Sequence, residues 1–382
     1  MSSKLKLTDW EWEALVSDSN LADGHAHHEP IKGQIAIVEH LPQIYHRSTV
    51  ERQDAIQDEF TEVFFAVAGQ RTFKCLPKPI FNYSCSLSIE IVANYIRLKQ
   101  MSVALLHPTF DNLADILKRH QVQLLPIEEA VILDPSSFIA STEADSIFLV
   151  CPNNPTGLEL SEKQFSSIVS LCKEYDKLLI IDFSFRFFSS YIAWDQYALL
   201  RSSNVRFIAL EDTGKTWPTL DMKLGIIVCD EVLRNELSAV SNDIILNVSP
   251  FIFNLLTRYI SVDLEAGSIL TSSVIEENRS TLKYLLDNTP LIIERPTSSL
   301  SVAWIRLPEA WRSSDFCAWL ERWNVHVLPG GPFYWNDQER GEHYVRIALS
   351  RPPRHFAYLA KSFHQLCLQY EVTSDTLIAS SD

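Results

Sequence analysis

Between residues 102 and 229 the chain repeats one pattern: a short, unbroken apolar run, then a stretch whose apolar residues fall at helical spacing. Ser102–His107, Ile147–Cys151, Leu178–Ile181, Arg206–Leu210 and Leu224–Cys229 are runs of strand length. A strand with one wet face alternates polar and apolar residues. These runs do not alternate, so both of their faces are expected to be covered. Phe110–His120 carries Leu113, Ile116 and Leu117 on one face. Ser161 and Gln164 form a capping-box pair ahead of Ile168, Leu171 and Cys172. The pattern predicts an α/β fold, a mostly parallel sheet sandwiched by helices. Such sheets bind ligands at the carboxyl ends of their strands. The segments HPTFDN, PNNPTG, DFSF and EDTGK stand at those exits. Taken singly, each reads as an ordinary turn or helix cap.

At 382 residues, against about 150 per domain, two or three domains are expected. The formal net charge of −15 disfavours a nucleic acid or an anionic membrane as partner. No apolar run is long enough for a spanning helix, and the first twenty residues lack a secretory core. Seven cysteines without a Cys-x-x-Cys pair read as reduced, buried thiols in a cytoplasmic protein, and no residues are assigned to a metal. The closing TSDTLIASSD reads as a frayed polar tail.

Asn154 in NNPTG, Asp182, Lys215 in EDTGK and Arg346 in YVRIALSR follow one another at intervals of 28, 33 and 131 residues. In that order and context the chain resembles the fold-type I pyridoxal phosphate (PLP) enzymes, the aminotransferase superfamily, over nearly its whole length. The resemblance implies a large PLP-binding domain over 41–265, a smaller α+β domain over 266–382, and a segment 1–40 folded across the active site of a homodimer. It implies that Lys215 binds the cofactor covalently and moves the α proton. Asp182 would pair with the pyridinium nitrogen so that the ring draws electrons. Read alone, an aspartate in that place is a helix cap. Asn154 would donate to the phenolic oxygen, and Phe110 would stack on the ring or simply pack in the core. Ser84, Cys85 and Ser86, before a helix expected near Leu87, would meet the phosphate with their amides. Ser184 and Lys223 would join them. Arg346 would clamp the substrate α-carboxylate, with Arg351 as a rival.

Two departures narrow the reading. Phe185 stands where many relatives place a tyrosine, and Asp212 where they place a phosphate-binding serine. A carboxylate is repelled by phosphate, so Asp212 is expected to face the substrate pocket and a positive side chain. LTDWEWEAL, NLADGHA, DFSFRFF and EDTGKTWPTLDMKLG resemble the arginine-modifying branch of the superfamily. That branch includes arginine oxidases and hydroxylases, capreomycidine synthase and an L-enduracididine-forming cyclodehydratase. It implies that Thr8, Glu11, Asp23 and His25 reach the site. Glu11 and Asp212 would hold a guanidinium, and His25 would transfer protons near the γ carbon. Without the resemblance, Glu11 reads as a solvated helix face and His25 as a loop residue. The expected activity is cyclodehydration of γ-hydroxy-L-arginine to L-enduracididine. The alternatives are an oxygen-dependent arginine oxidase or hydroxylase, an aminotransferase, and a silent binding protein on the same fold.

Overall fold

The computed structural model describes residues 6–379. Seven strands form the main sheet: β1 (Ile80–Asn82), β2 (Val103–His107), β3 (Leu124–Glu128), β4 (Ser146–Val150), β5 (Leu178–Asp182), β6 (Phe207–Asp212) and β7 (Gly225–Cys229). Their order is β1-β7-β6-β5-β4-β2-β3. Strands β2 to β6 run parallel, while β7 pairs antiparallel with both β6 and β1. Every residue of β2, β4, β5, β6 and β7 is buried, which is why their sequences do not alternate. The parallel order reverses between β2 and β4, and a crevice opens at such a switch point.

A second sheet, order β10-β11-β9-β8, is antiparallel throughout. It consists of β8 (Ile292–Glu294), β9 (Val302–Arg306), β10 (Leu328–Pro329) and β11 (Tyr344–Ala348). Its apolar residues pack with the helices Thr271–Leu286, Ser313–Glu321 and Pro353–Ala379 in a core of their own. A third, small core joins Leu7, Ala14 and Ala22 of the N-terminal segment to Trp304, Leu328, Phe333 and Tyr334. The segment thereby docks on the second sheet and reaches toward the first.

Several local expectations shift. The helix expected near Leu87 is Cys85–Leu98, because Ser84 is its N-cap and accepts the Leu87 amide at 3.2 Å. The tail expected to fray continues the last helix through Ala379, and positions 380–382 lie outside the described residues. Six cysteines are buried, but Cys75, on a short 3₁₀ turn and not in a strand, is exposed. The capping box at Ser161 and Gln164 forms as expected. No helix among the described residues is long and apolar enough to cross a membrane.

Gly225 opens β7 directly beneath the start of the Cys85–Leu98 helix. A Cβ there would collide with the Ser84 carbonyl and the Cys85 amide, both backbone atoms with nowhere to retreat. Gly225→Ala is therefore expected to cost about 1–3 kcal/mol through overpacking. A urea-unfolding midpoint unchanged from the parent would show that the helix is not held this close.

Candidate active site

The crevice at the strand exits is a cavity of about 190 Å³. Its floor is built from the ends of parallel strands. Asp182 ends β5, Asp212 ends β6, and Asn154 follows β4. Phe110 enters from the loop after β2, as N-cap of the Asp111–Arg119 helix. Ser84, Cys85 and Ser86 line it from the start of the Cys85–Leu98 helix, with Ser184, Phe185, Lys215 and Lys223 from the loops after β5 and β6. Thr8 and Glu11, on the Leu7–Leu15 helix, and His25, on the following loop, close it from above. Residues scattered over the whole chain thus converge on one space.

Asp182 is buried, and Ser184 donates to its Oδ1 through both the hydroxyl (2.5 Å) and the amide (2.8 Å). Burial pushes its carboxyl up to about 6, against the lowering pull of the Ser184 hydrogen bonds. Among the described residues no lysine or arginine forms a salt bridge with it. A buried carboxylate in a cavity with a lysine and no cation of its own suits a ligand bearing a protonated ring nitrogen. Ser84, Ser86 and Lys223 supply hydroxyls and a cation beside a helix N-terminus, the donor set that a phosphate requires, while the Ser184 hydroxyl expected to join them is turned to Asp182. The residues present fit pyridoxal phosphate.

Arg346, on β11, does not itself line the cavity; its guanidinium is buried against Glu11 and Asn154, which do. It donates to Glu11 Oε1 at 3.2 Å, to Asn154 Oδ1 at 3.4 Å and to the Ala22 carbonyl, and its Nε is buried with no partner among the described residues. Burial pushes the group below its ordinary value, opposed by the charges of Glu11, Asp23 and Asp111. The rival Arg351 is also buried, but it donates to the carbonyls of Asn20, Asp23, His25 and Ser350 and to the Asn20 side chain. With its donors spent on backbone, it pins the N-terminal segment.

Two expected substrate contacts differ. Asp212 lines the cavity as expected, but among the described residues it forms no ion pair: its oxygens accept the amides of Gly214 (2.6 Å) and Cys85 (3.4 Å), because the end of β6 points it at the helix N-terminus. Asp23 does not line the cavity; it lies behind His25, bonded to the rings of His25 and His27. His25 Nε2 sits 2.8 Å from Lys223 Nζ and 3.3 Å from Lys215 Nζ. Lys215 also lies 5.9 Å from the Phe185 ring centroid. A residue that sequence reasoning misses is Asn112, which lines the cavity and donates to Ser86 Oγ at 3.1 Å. Its place two residues after Phe110 is the available signal, but an asparagine there looks like an ordinary helix start.

Asp182 gives the site a pH signature. Its ordinary value is 3.8 and its folded value about 6, so the folded chain holds this proton more tightly. The stabilisation is complete below about pH 4 and is lost as pH rises through 6. Asp111, pushed up to about 7, and Asp263, up to about 6, act in the same sense, chiefly through burial. In the cofactor-free protein, Asp182→Asn should flatten part of the fall in urea midpoint between pH 4 and 7, whereas bound cofactor should offset it by pairing a cation with the carboxylate. Parallel pH curves for variant and parent would remove the assignment.

Comparison with known proteins agrees with this arrangement. A family model for aminotransferase class I and II matches residues 83–363. LL-diaminopimelate aminotransferase 2 of Nostoc sp. is 27% identical over 218 residues, 54% of this chain and 52% of that protein. Aspartate aminotransferase of Pyrococcus horikoshii is 22% identical over 228 residues, 58% and 57% of the two chains. The chain spans about half the length of the curated relatives it matches. The structure of MppP soaked with the product 2-ketoarginine superposes with a TM-score of 0.86 at 31% identity, over 91% of this chain and 99% of that one. LysN, the α-aminoadipate aminotransferase of Thermus thermophilus, shares the fold at 14% identity, with a TM-score of 0.78 over 97% and 96%. From the seven-stranded sheet, the convergent lysine and aspartate, and a family match over well more than half its length, the chain belongs to the aminotransferase class I and II family of fold-type I enzymes, whose cofactor is pyridoxal 5'-phosphate.

Proposed function

We propose that this enzyme converts γ-hydroxy-L-arginine to the cyclic guanidine amino acid L-enduracididine with loss of one water. The observation that carries the reading is the buried pair of Arg346 and Glu11, 3.2 Å apart with side chains 1% and 13% exposed. A buried ion pair is costly to break from one side alone, since the remaining charge is stranded. A substrate with a carboxylate at one end and a guanidinium at the other can replace both halves. Its carboxylate takes Arg346, including the free Nε, and its cation takes Glu11. A neutral side chain would leave Glu11 buried and unpaired. The geometry supports Glu11, with Thr8 beside it, as the guanidinium contact, and leaves Asp212 to the helix amides.

When bound, pyridoxal phosphate draws off the electron pair left behind as an α proton departs. Lys215 would hold it covalently, and Asp182 would face its ring nitrogen. Asn154 would face the phenolic oxygen and Phe110 the ring face. Ser84, Cys85, Ser86 and Lys223 would surround the phosphate. Lys215 then acts as base at the α carbon and next at the β carbon, where the freed electron pair expels the γ hydroxyl. His25, with Nε2 3.3 Å from Lys215, takes up a proton that Lys215 removes and passes it to the departing γ hydroxyl, the kind of positioned acid that contributes about 10²–10⁴-fold. The guanidine nitrogen bonds to the γ carbon and gives up a proton while Glu11 holds the group, and protons return through Lys215 to the β and α carbons, so that one water is the net loss. The N-terminal segment lies over these groups and keeps bulk water from them. We further read the protein as a cytoplasmic homodimer acting on a small molecule, divided at residues 1–40, 41–265 and 266–382. Its seven free cysteines support the compartment.

The likeness to MppP, whose product is 2-ketoarginine, favours a second reading: oxygen-dependent oxidation of arginine itself. The two differ in what must be consumed. Cyclodehydration needs a leaving group already on the γ carbon and no oxidant. Hydroxyarginine should therefore disappear at equal rates under argon and air, giving a product lighter by one water and no peroxide. Arginine consumed with oxygen uptake, and hydroxyarginine left uncyclised, would establish the oxidase reading in its place.

A further inference from the structure

Asp23 lies one layer behind the cavity and reaches it only through His25. Its carboxylate is 2% exposed and is used from both ends. Oδ1 is 2.6 Å from His25 Nδ1 and also accepts the His25 amide at 3.3 Å; Oδ2 bonds to His27 Nε2. Arg351 holds the backbone on either side, donating to the carbonyls of Asp23 and His25. Burial opposes ionisation of Asp23, yet His25, His27 and Lys215 together hold its carboxyl well below the usual range. An ionised carboxylate only accepts, so each ring must present it an N–H. His25 then carries its proton on Nδ1, and its Nε2 offers a lone pair to Lys223 at 2.8 Å and Lys215 at 3.3 Å. The other tautomer would set N–H against two amines and leave a lone pair against a carboxylate.

We propose that Asp23 and His27 are positioning residues for His25: Asp23 fixes the ring's tautomer and aim, and His27, holding the second oxygen, keeps the carboxylate from rotating away. His27 is 28% exposed and lines a separate surface cavity of about 380 Å³ with Pro218, Met222 and Tyr259, so it acts on the site only through Asp23. The role rests on the reading in which His25 moves protons for the reaction. Wherever an aspartate orients a catalytic imidazole, its amide counterpart preserves the shape but releases the tautomer.

The test is made on the holoenzyme with ring-¹⁵N-labelled histidine. The parent should show His25 as a single tautomer, protonated on Nδ1. Asp23→Asn should give a tautomeric mixture and lower kcat on hydroxyarginine about tenfold to a hundredfold, with KM changed less than about threefold. His27→Phe, which leaves Asp23 in place, should do the same to a smaller degree. His27→Gln, whose amide nitrogen can still donate to Asp23, should restore both the single tautomer and kcat. A single Nδ1–H tautomer retained in Asp23→Asn and His27→Phe overturns the proposal, as does a tautomeric mixture with unchanged kcat. If the tautomers respond as expected but the parent turns over neither hydroxyarginine nor arginine, the proposed function fails and the positioning stands.

Discussion

Two fully buried guanidiniums hold the molecule's working end together. Arg346 and Arg351 sit on and just beyond β11, where solvent reaches neither. Removing a guanidinium from water costs several kcal/mol unless its donors are met. Burial accordingly pushes Arg351 down to about 10. The oxygens that meet both groups come largely from the N-terminal segment: Asn20, Ala22, Asp23 and His25 carbonyls, the Asn20 side chain and the Glu11 carboxylate. The segment cannot lift off without stranding two charges. That constraint brings Thr8, Glu11 and His25 over strand ends contributed by residues more than a hundred positions away.

The cavity is consequently polarised along its length. At one end Asp182, the start of the Cys85–Leu98 helix and Lys223 present the chemistry that a cationic ring and an anionic phosphate need. At the other, Glu11 lines the cavity and pairs at 3.2 Å with the buried Arg346. Lys215 and His25 stand between, 3.3 Å apart. Asp212 belongs to the first end, beside the helix start. Its carboxylate is held by backbone amides, which lowers the cost of burying it so close to Asp182.

Much of this was legible because the main sheet is wholly buried. Strands β2, β4, β5, β6 and β7 announce themselves as unbroken apolar runs, and the groups at their exits could be read as a set. The second sheet could not be read so early: β8 is partly exposed, β10 has two residues, and neither has a period to detect. Edge strand β3 contains Pro126, which argues against a strand in the middle of a sheet but is tolerated on its rim. Only resemblance singles out the residues of the N-terminal segment, since a glutamate and a histidine on a short helix and loop look like solvated surface. Which way Asp212 and Asp23 face lay beyond reach for a physical reason. Both orientations are decided by backbone amides and rings brought close only in the folded chain.

The central claim, that Glu11 is released from Arg346 to take the guanidinium of the substrate, is tested most directly by a binding cycle. Arginine and its neutral isostere citrulline are titrated into the holoenzyme and into Glu11→Gln. A charge-assisted hydrogen bond is worth about 1.5–3 kcal/mol, so the parent should prefer arginine by roughly tenfold to a hundredfold, and the variant should lose most of that preference while binding citrulline no worse. An arginine preference of the same size in both proteins would contradict the account.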